Sequence, residues 1–191
     1  MPRAGLDADV VVRRAAELVD AEGVASLTLS RVAAALGVAA PSLYKHVGGL
    51  GDLTDRLALA ATRAFGDALA RSSRGVSSRD ALAALAAAYR GFARERPGMY
   101  ELAQRGGTGP EWEQAAAEVV DEITRALAGY GAGAADVHRI RYVRSALHGF
   151  TDLERVGGFR QPESVDETFA RLVDALDAEL SRPVDGERAA K

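Results

Sequence analysis

Residues 36–49 read LGVAAPSLYKHVGG, placing Pro41, Ser42, Tyr44, Lys45 and His46 within six positions of a chain otherwise dominated by Ala, Leu, Val and Arg at helical spacings. Either this is an awkward helical turn inside a core, or a hydroxyl, a phenol, an ammonium and an imidazole this close together face something outside the protein, where they suit hydrogen bonds to phosphates and base edges. The rest of the sequence offers little to catalysis. His46, His138 and His148 are the only histidines, there is no cysteine, and no GxSxG, HExxH or GxxxxGK[ST] pattern occurs. Without cysteine, disulfides, thiolate zinc sites and thiol nucleophiles are excluded. The glycine-rich RGGTGP at 105–110 lacks the lysine of a phosphate loop and reads as a connector. Neither an enzyme, a metal site nor a bound cofactor is expected.

The charge pattern singles out the same region. The chain carries a formal net charge of −3, which argues weakly against a protein coated in nucleic acid. Yet residues 24–51 contain no Asp or Glu, while Arg31, Lys45 and His46 fall inside that window, and acids resume at Asp52 and Asp55. A surface that must approach phosphates needs such a gap. Charge alone does not separate this from the composition of an alanine-rich segment. No stretch is long and apolar enough to span a bilayer, and the N-terminus has neither a signal-peptide core nor a transit-peptide character, so a cytoplasmic protein is expected.

The elements that must position these residues are helices. Val11, Ala15, Leu18 and Val19 share one face of a first helix, and Leu82, Leu85, Tyr89 and Phe92 repeat the 3-4-3 spacing later. Turn signals at Gly23, Gly37, the glycines at 48, 49 and 51, 71–78, Pro97-Gly98, 105–110, 129–133 and 156–163 divide the chain into nine or ten helical segments. Toward the C-terminus Ile140, Val143, Leu147 and Phe150 form one stripe. Val165, Phe169, Leu172, Leu176 and Leu180 form another, opened by Ser164 with Glu167 three residues on, a capping-box pattern. Such helices can line a core, a second subunit, or both.

Around the opening motif, Thr28 to Leu36 reads as a short helix that Gly37 terminates in the left-handed conformation, leaving Val38 to plug the corner. Pro41 suits the first turn of a second short helix, about 40–46, with Leu43 and Val47 facing inward. A helix of under two turns is not stable alone, so its neighbours must hold it, as in a helix-turn-helix. Ser42, Lys45 and His46 cannot all point inward with Leu43. Tyr44 could pack on the small core or reach a phosphate oxygen; Lys45 could be a solvated charge, and His46 a packing residue bonded to a carbonyl.

The run VASLTLSRVAAALGVAAPSLYKHVGGLGDL resembles the DNA-binding domain of TetR-family transcriptional regulators, matching Gly23, Thr28, Gly37, Val38, Leu43, Tyr44 and His46 at the family's spacings. ALHGFTDLERVGGFRQPESVDETFARLVDAL resembles the family's C-terminal domain of the WHG type, although no tryptophan precedes His148-Gly149. The resemblance implies an all-α protein. A three-helix helix-turn-helix domain over 1–50 is joined by a connecting helix, 51–72, to a larger ligand-binding and dimerisation domain, 73–183, with a flexible tail at 184–191. It implies DNA contacts from Thr28 and Ser30, from Ala40, Pro41 and Ser42 in the base-facing turn, from Tyr44 and His46 to phosphate, and from Lys45 to base or phosphate. Ala39 and Ala40 stand where polar readers are frequent, and Leu50 and Gly51 where many members have a lysine, so shape readout gains weight.

The implied function is a ligand-responsive repressor, dimeric on a palindromic operator and released by a small molecule, the sign of regulation depending on where the operator lies. Its partners would be double-stranded DNA, a small-molecule effector and a second copy docked through helices near 136–155 and 164–182, with no membrane. Tyr89, Phe92, Met99, Tyr100, Trp112, Arg141, Arg144 and His148 are the candidates to line an effector cavity, each with the alternative of ordinary core. The rival readings are a helical interaction module and a small enzyme, neither binding DNA.

Overall fold

A computed structural model describes residues 6–72, 75, 78–131 and 136–182. Among these residues every regular element is helical. The α-helices are α1 (Ala8–Glu22), α2 (Leu29–Leu36), α3 (Leu50–Ser72), α4 (Ser78–Glu95), α5 (Pro97–Arg105), α6 (Pro110–Leu127), α7 (Val137–Arg155) and α8 (Val165–Leu180), with 3₁₀ turns at Val24–Ser26, Ala40–Lys45 and Ala128–Tyr130. The tail expected at 184–191 lies outside the described residues.

The chain forms two compact units, residues 1–65 with 95–116, and residues 66–94 with 117–191. They divide α3 at Phe65–Gly66 and assign α5 to the unit of the N-terminal helices.

In the first unit, Asp7 caps α1 by accepting from the Val10 N–H at 2.8 Å, and Thr28 caps α2 through the Arg31 N–H at 3.2 Å. Gly37 ends α2 at φ 68°, ψ 30°, the left-handed conformation that only glycine adopts cheaply. The chain folds straight back, with the Val38 N–H on the Ala33 carbonyl at 3.0 Å. Val11, Ala15, Val19, Leu43 and Val47 are buried, as the apolar spacings predict, Leu18 is only half-buried, and Val32, Leu53 and Leu57 complete the small core. The chain is divided at Pro97-Gly98, as its composition suggests: α4 ends at Glu95, and Pro97 and Gly98 form the first turn of α5, because proline is tolerated where no N–H is needed. Gly51 likewise lies inside α3.

In the second unit α7 packs against α8. Ile140, Val143, Leu147 and Phe150 are all buried, and on α8 the buried positions are Phe169, Val173, Leu176 and Leu180, with Val173 rather than Leu172 completing the stripe. The Ser164 hydroxyl accepts from the Glu167 N–H at 3.2 Å, the predicted N-cap bond. Arg90 of α4 is the buried charge. Its guanidinium grips Glu154 of α7 at 2.7 and 2.5 Å, reaches Asp166 of α8 at 2.7 Å, and lies 4.7 Å from the Phe169 and 5.5 Å from the Phe150 ring centroid. Three helices are tied together by one residue.

Candidate nucleic-acid interface

The short second helix of the motif is a six-residue 3₁₀ helix, Ala40–Lys45, begun by Ala39 without a side-chain cap and with Pro41 in its first turn. Nothing local stabilises it, so its placement rests on packing against α2 and on Leu43 and Val47, both buried beneath it. With Leu43 inward, the chain must turn Tyr44 and Lys45 outward. Tyr44 is 62% exposed, an unusual cost for an aromatic ring, and neither its hydroxyl nor the Lys45 ammonium bonds to a described residue. The reading of Tyr44 as a lid on the small core is therefore set aside. Ala40, Ser42 and His46 are half-buried, Pro41 is exposed, and His46 ends the helix with its N–H on the Leu43 carbonyl at 2.8 Å. Thr28 and Ser30 are exposed at the start of α2. The Thr28 hydroxyl is already an acceptor for α2, so its remaining lone pair and proton face outward.

Two of the acids bordering the charge window, Glu22 and Asp52, have partners in the fold, while Asp55 is exposed. Glu22 pairs with Arg31 on the surface, both side chains staying exposed. Asp52 accepts the Gly48 N–H at 2.8 Å and the Arg56 guanidinium at 3.0 Å, and these bonds, Gly48 first, hold its carboxyl below the usual carboxylate range. Lys45 thus remains as the cation of the exposed face with no acidic partner among the described residues. This is a surface able to meet an anionic backbone, with few groups able to distinguish bases.

Comparisons with known proteins agree with this geometry. Residues 11–49 match the family described as bacterial regulatory proteins, tetR family, and residues 82–176 match the tetracyclin repressor-like C-terminal domain. The chain is 34% identical over 171 residues to the HTH-type transcriptional regulator YobS of Bacillus subtilis (strain 168), covering 88% of this chain and 90% of that protein. It is 33% identical over 183 residues to the HTH-type transcriptional regulator Rv0681 of Mycobacterium tuberculosis (strain ATCC 25618 / H37Rv), covering 94% and 84%. The chain belongs to the TetR family. Its fold is shared with a solved structure of a protein from Rhodococcus sp. RHA1, at TM-score 0.81 and 24% identity over 95% of this chain and 100% of that one. It is accordingly a helix-turn-helix transcriptional regulator, and the relatives it resembles are regulators rather than enzymes. No helix among the described residues is long and apolar enough to cross a membrane.

The effector candidates of this TetR-family chain divide between the two units. Tyr89 and Phe92 are buried on α4 and His148 is half-buried on α7, all in the second unit. Met99 and Tyr100 are buried on α5 in the first unit, where Tyr100 meets Phe65 edge-on at 6.2 Å. Trp112 lies against Gly106 and Gly107, and a Cβ at Gly107 would come within 2.6 Å of its ring. The Trp112 indole nitrogen is buried without a hydrogen-bond partner. Arg141 and Arg144 are exposed on α7, contrary to the expectation that they line a cavity, because Ile140, Val143 and Leu147 take the inward face.

One contact of the first unit has no sequence signal. The Asp20 carboxylate of α1 accepts the Met99 N–H of α5 at 2.9 Å and pairs with Arg96. Beside it Gly98 lies so close to α1 that a Cβ would stand 2.2 Å from the Val19 carbonyl oxygen. Asp20 therefore caps a helix 79 residues away in sequence, which no local motif could reveal.

Proposed function

We propose that this regulator is a cytoplasmic, ligand-responsive repressor that binds a palindromic operator as a homodimer and is released by a small molecule. The observation that carries the DNA-binding part is the outward face of Ala40–Lys45, where Tyr44 and Lys45 bond to no described residue while the nearby acids Glu22 and Asp52 are paired. Two such helices would enter successive major grooves about 34–36 Å apart. Tyr44 and His46 contact phosphate, Lys45 contacts base or phosphate, and Thr28 and Ser30 contact DNA from the start of α2. Ala40, Pro41 and Ser42 face bases with little beyond a methyl and a hydroxyl, so operator choice leans on DNA shape.

Release requires an effector that favours the non-binding arrangement, and moving a population from 1:99 to 99:1 takes about 5.5 kcal/mol of differential affinity. The α1–α5 latch supports this reading, because Asp20 and Gly98 lock α5 to the helix that packs on α2. Any shift of α5 is thereby passed to the helix-turn-helix, in addition to the path through α3. The buried aromatics Tyr89 and Phe92 of α4 suit contact with a small organic effector. The dimer forms through α7 and α8.

The test is a salt-titrated binding isotherm on DNA from the adjoining intergenic region. Sequence-dependent binding by a dimer, relieved by a candidate compound, is the expected result. Binding that shows no sequence preference at any salt concentration would overturn the assignment.

A further inference from the structure

One ion pair of the first unit is placed against the electrostatics of its own helix. The last turn of α1 holds Asp20 and Glu22 and no base, although the C-terminal end of a helix favours cations. Asp20 is accounted for by the Met99 N–H and Arg96. Glu22 is not engaged with α5; among the described residues it bonds to Arg31 of α2.

Arg31 stands beside the residues proposed to meet DNA. It follows Thr28 by three positions, one turn along on the same face, and its N–H is the donor that the Thr28 hydroxyl accepts. Thr28, Ser30 and Arg31 are all exposed. Over residues 29–45, which span α2 and Ala40–Lys45, the positively charged residues are Arg31 and Lys45.

We infer that Arg31 exchanges Glu22 for a backbone phosphate when the regulator binds DNA, which makes Arg31 a further phosphate contact and Glu22 its counterion in the free protein. This rests on the DNA-binding reading above and adds a residue to it. The pair is open to exchange because it lies on the surface, with the Arg31 side chain 51% and the Glu22 side chain 39% exposed. Exposed pairs of this kind contribute little to stability. Phosphate is the stronger competitor. A guanidinium offers the same planar fork to phosphate as to carboxylate, so the exchange needs no new geometry. Duplex DNA also carries about one charge per 1.7 Å and releases condensed counterions when a cation docks, a drive that a lone carboxylate lacks.

The exchange leaves Glu22 without its cation at the edge of the interface. Glu22 therefore opposes binding twice, by competing for Arg31 in the free protein and by repelling phosphate in the complex. A chain of formal net charge −3 thereby restrains its own affinity for nucleic acid.

The decisive variant is full-length Glu22→Gln/Arg31→Gln, which removes one charge of each sign and leaves the net charge unchanged. Its thermal melt should match the wild type, both positions being exposed. Fluorescence anisotropy across a salt series, on a labelled duplex from the adjoining intergenic region, should give a slope shallower by about 0.9 for each bound protomer. A slope equal to that of the wild type would overturn the exchange, because an Arg31 still held by Glu22 neutralises no phosphate. Glu22→Gln alone should keep the wild-type slope and tighten binding about two- to fivefold per protomer. A steeper slope there would mean that Arg31 reaches phosphate only once Glu22 is gone, which also overturns it. Arg31→Lys keeps the charge and should keep the slope; a fall with this variant would mark a structural role instead. Wild-type protein without sequence-dependent binding would overturn the DNA-binding reading itself, and the exchange with it.

Discussion

At the residue scale, the useful distinction is between side chains that hold the fold and those that face outward from it. Lys45 belongs to the second group, with no bond to a described residue. Lys45→Ala should leave thermal stability unchanged, weaken operator binding about tenfold, or about 1.4 kcal/mol, and lower the salt slope by about 0.9 for each phosphate that is no longer neutralised. A fluorescence-anisotropy salt titration with unchanged affinity and slope would remove Lys45 from the interface. Thr28 belongs to both groups, since its hydroxyl caps α2 and its exposed side faces outward. Thr28→Asp separates the roles. Aspartate is at least as good an N-cap as threonine, so the melting temperature should hold, while the new negative charge repels phosphate and operator binding should collapse. Retained binding would mean that Thr28 acts through the cap alone.

Arg90 acts wholly through the fold. Removing one member of a buried ion pair typically costs about 3–5 kcal/mol, and Arg90→Met should show a loss of that order in urea unfolding. Adding Glu154→Gln should restore part of it, because an uncompensated carboxylate is then no longer buried. The hydrogen bond from Arg90 holds the Glu154 carboxyl below its ordinary pKa. The unfolded chain therefore takes up that proton first as pH falls. The stability Glu154 contributes is complete above the ordinary glutamate range and is lost as pH drops through its lower folded value. Glu154→Gln should accordingly flatten the acid limb of the stability profile below about pH 4.3.

At the scale of elements, the helix-turn-helix and the α1–α5 contact differ in what a sequence can reveal. Gly37, Leu43 and Val47 are recognisable because the constraints they meet are local: a left-handed residue, then two inward apolar positions on a helix too short to stand alone. The 3₁₀ character of Ala40–Lys45 is a small departure, set by packing on α2 rather than by propensity. The α1–α5 contact instead joins Asp20 to Gly98, and Gly98 reads locally as a turn residue. Only the approach of two backbones explains it. Gly98→Ala should destabilise the protein by about 1–3 kcal/mol, the usual range for overpacking. Asp20→Asn keeps an acceptor for the Met99 N–H and should be milder than Asp20→Ala. If α5 relays the effector signal, Asp20→Ala should also blunt release of DNA by a compound that still binds, compared by isothermal titration and anisotropy on the same protein.

For the molecule as a whole, a regulator that works as a dimer couples folding, assembly and DNA binding through mass action. Its apparent melting temperature should rise with protein concentration across a hundredfold range. A constant value would argue that the folded protomer is self-sufficient. Among the described residues, Tyr142 and Leu153 of α7 and Val156 at its C-cap are large apolar side chains left exposed, and assembly over them would remove them from water.

The helical class, the helix-turn-helix with its outward residues, and the two C-terminal apolar stripes are legible in the residues alone, since each follows from periodicity, caps and a single glycine acting over a few positions. Periodicity leaves those stripes equally able to serve a core or a second subunit. Packing of the closed chain makes Ile140, Val143, Leu147 and Phe150 core. It also puts Arg141 and Arg144 on the surface rather than in a pocket, sets Asp20 as the cap of α5, and lets Arg90 bind three helices at once. Those outcomes depend on which elements approach one another across dozens of residues. Side-chain spacing along one helix defines its faces, but what meets each face is set only when the chain has closed around its core.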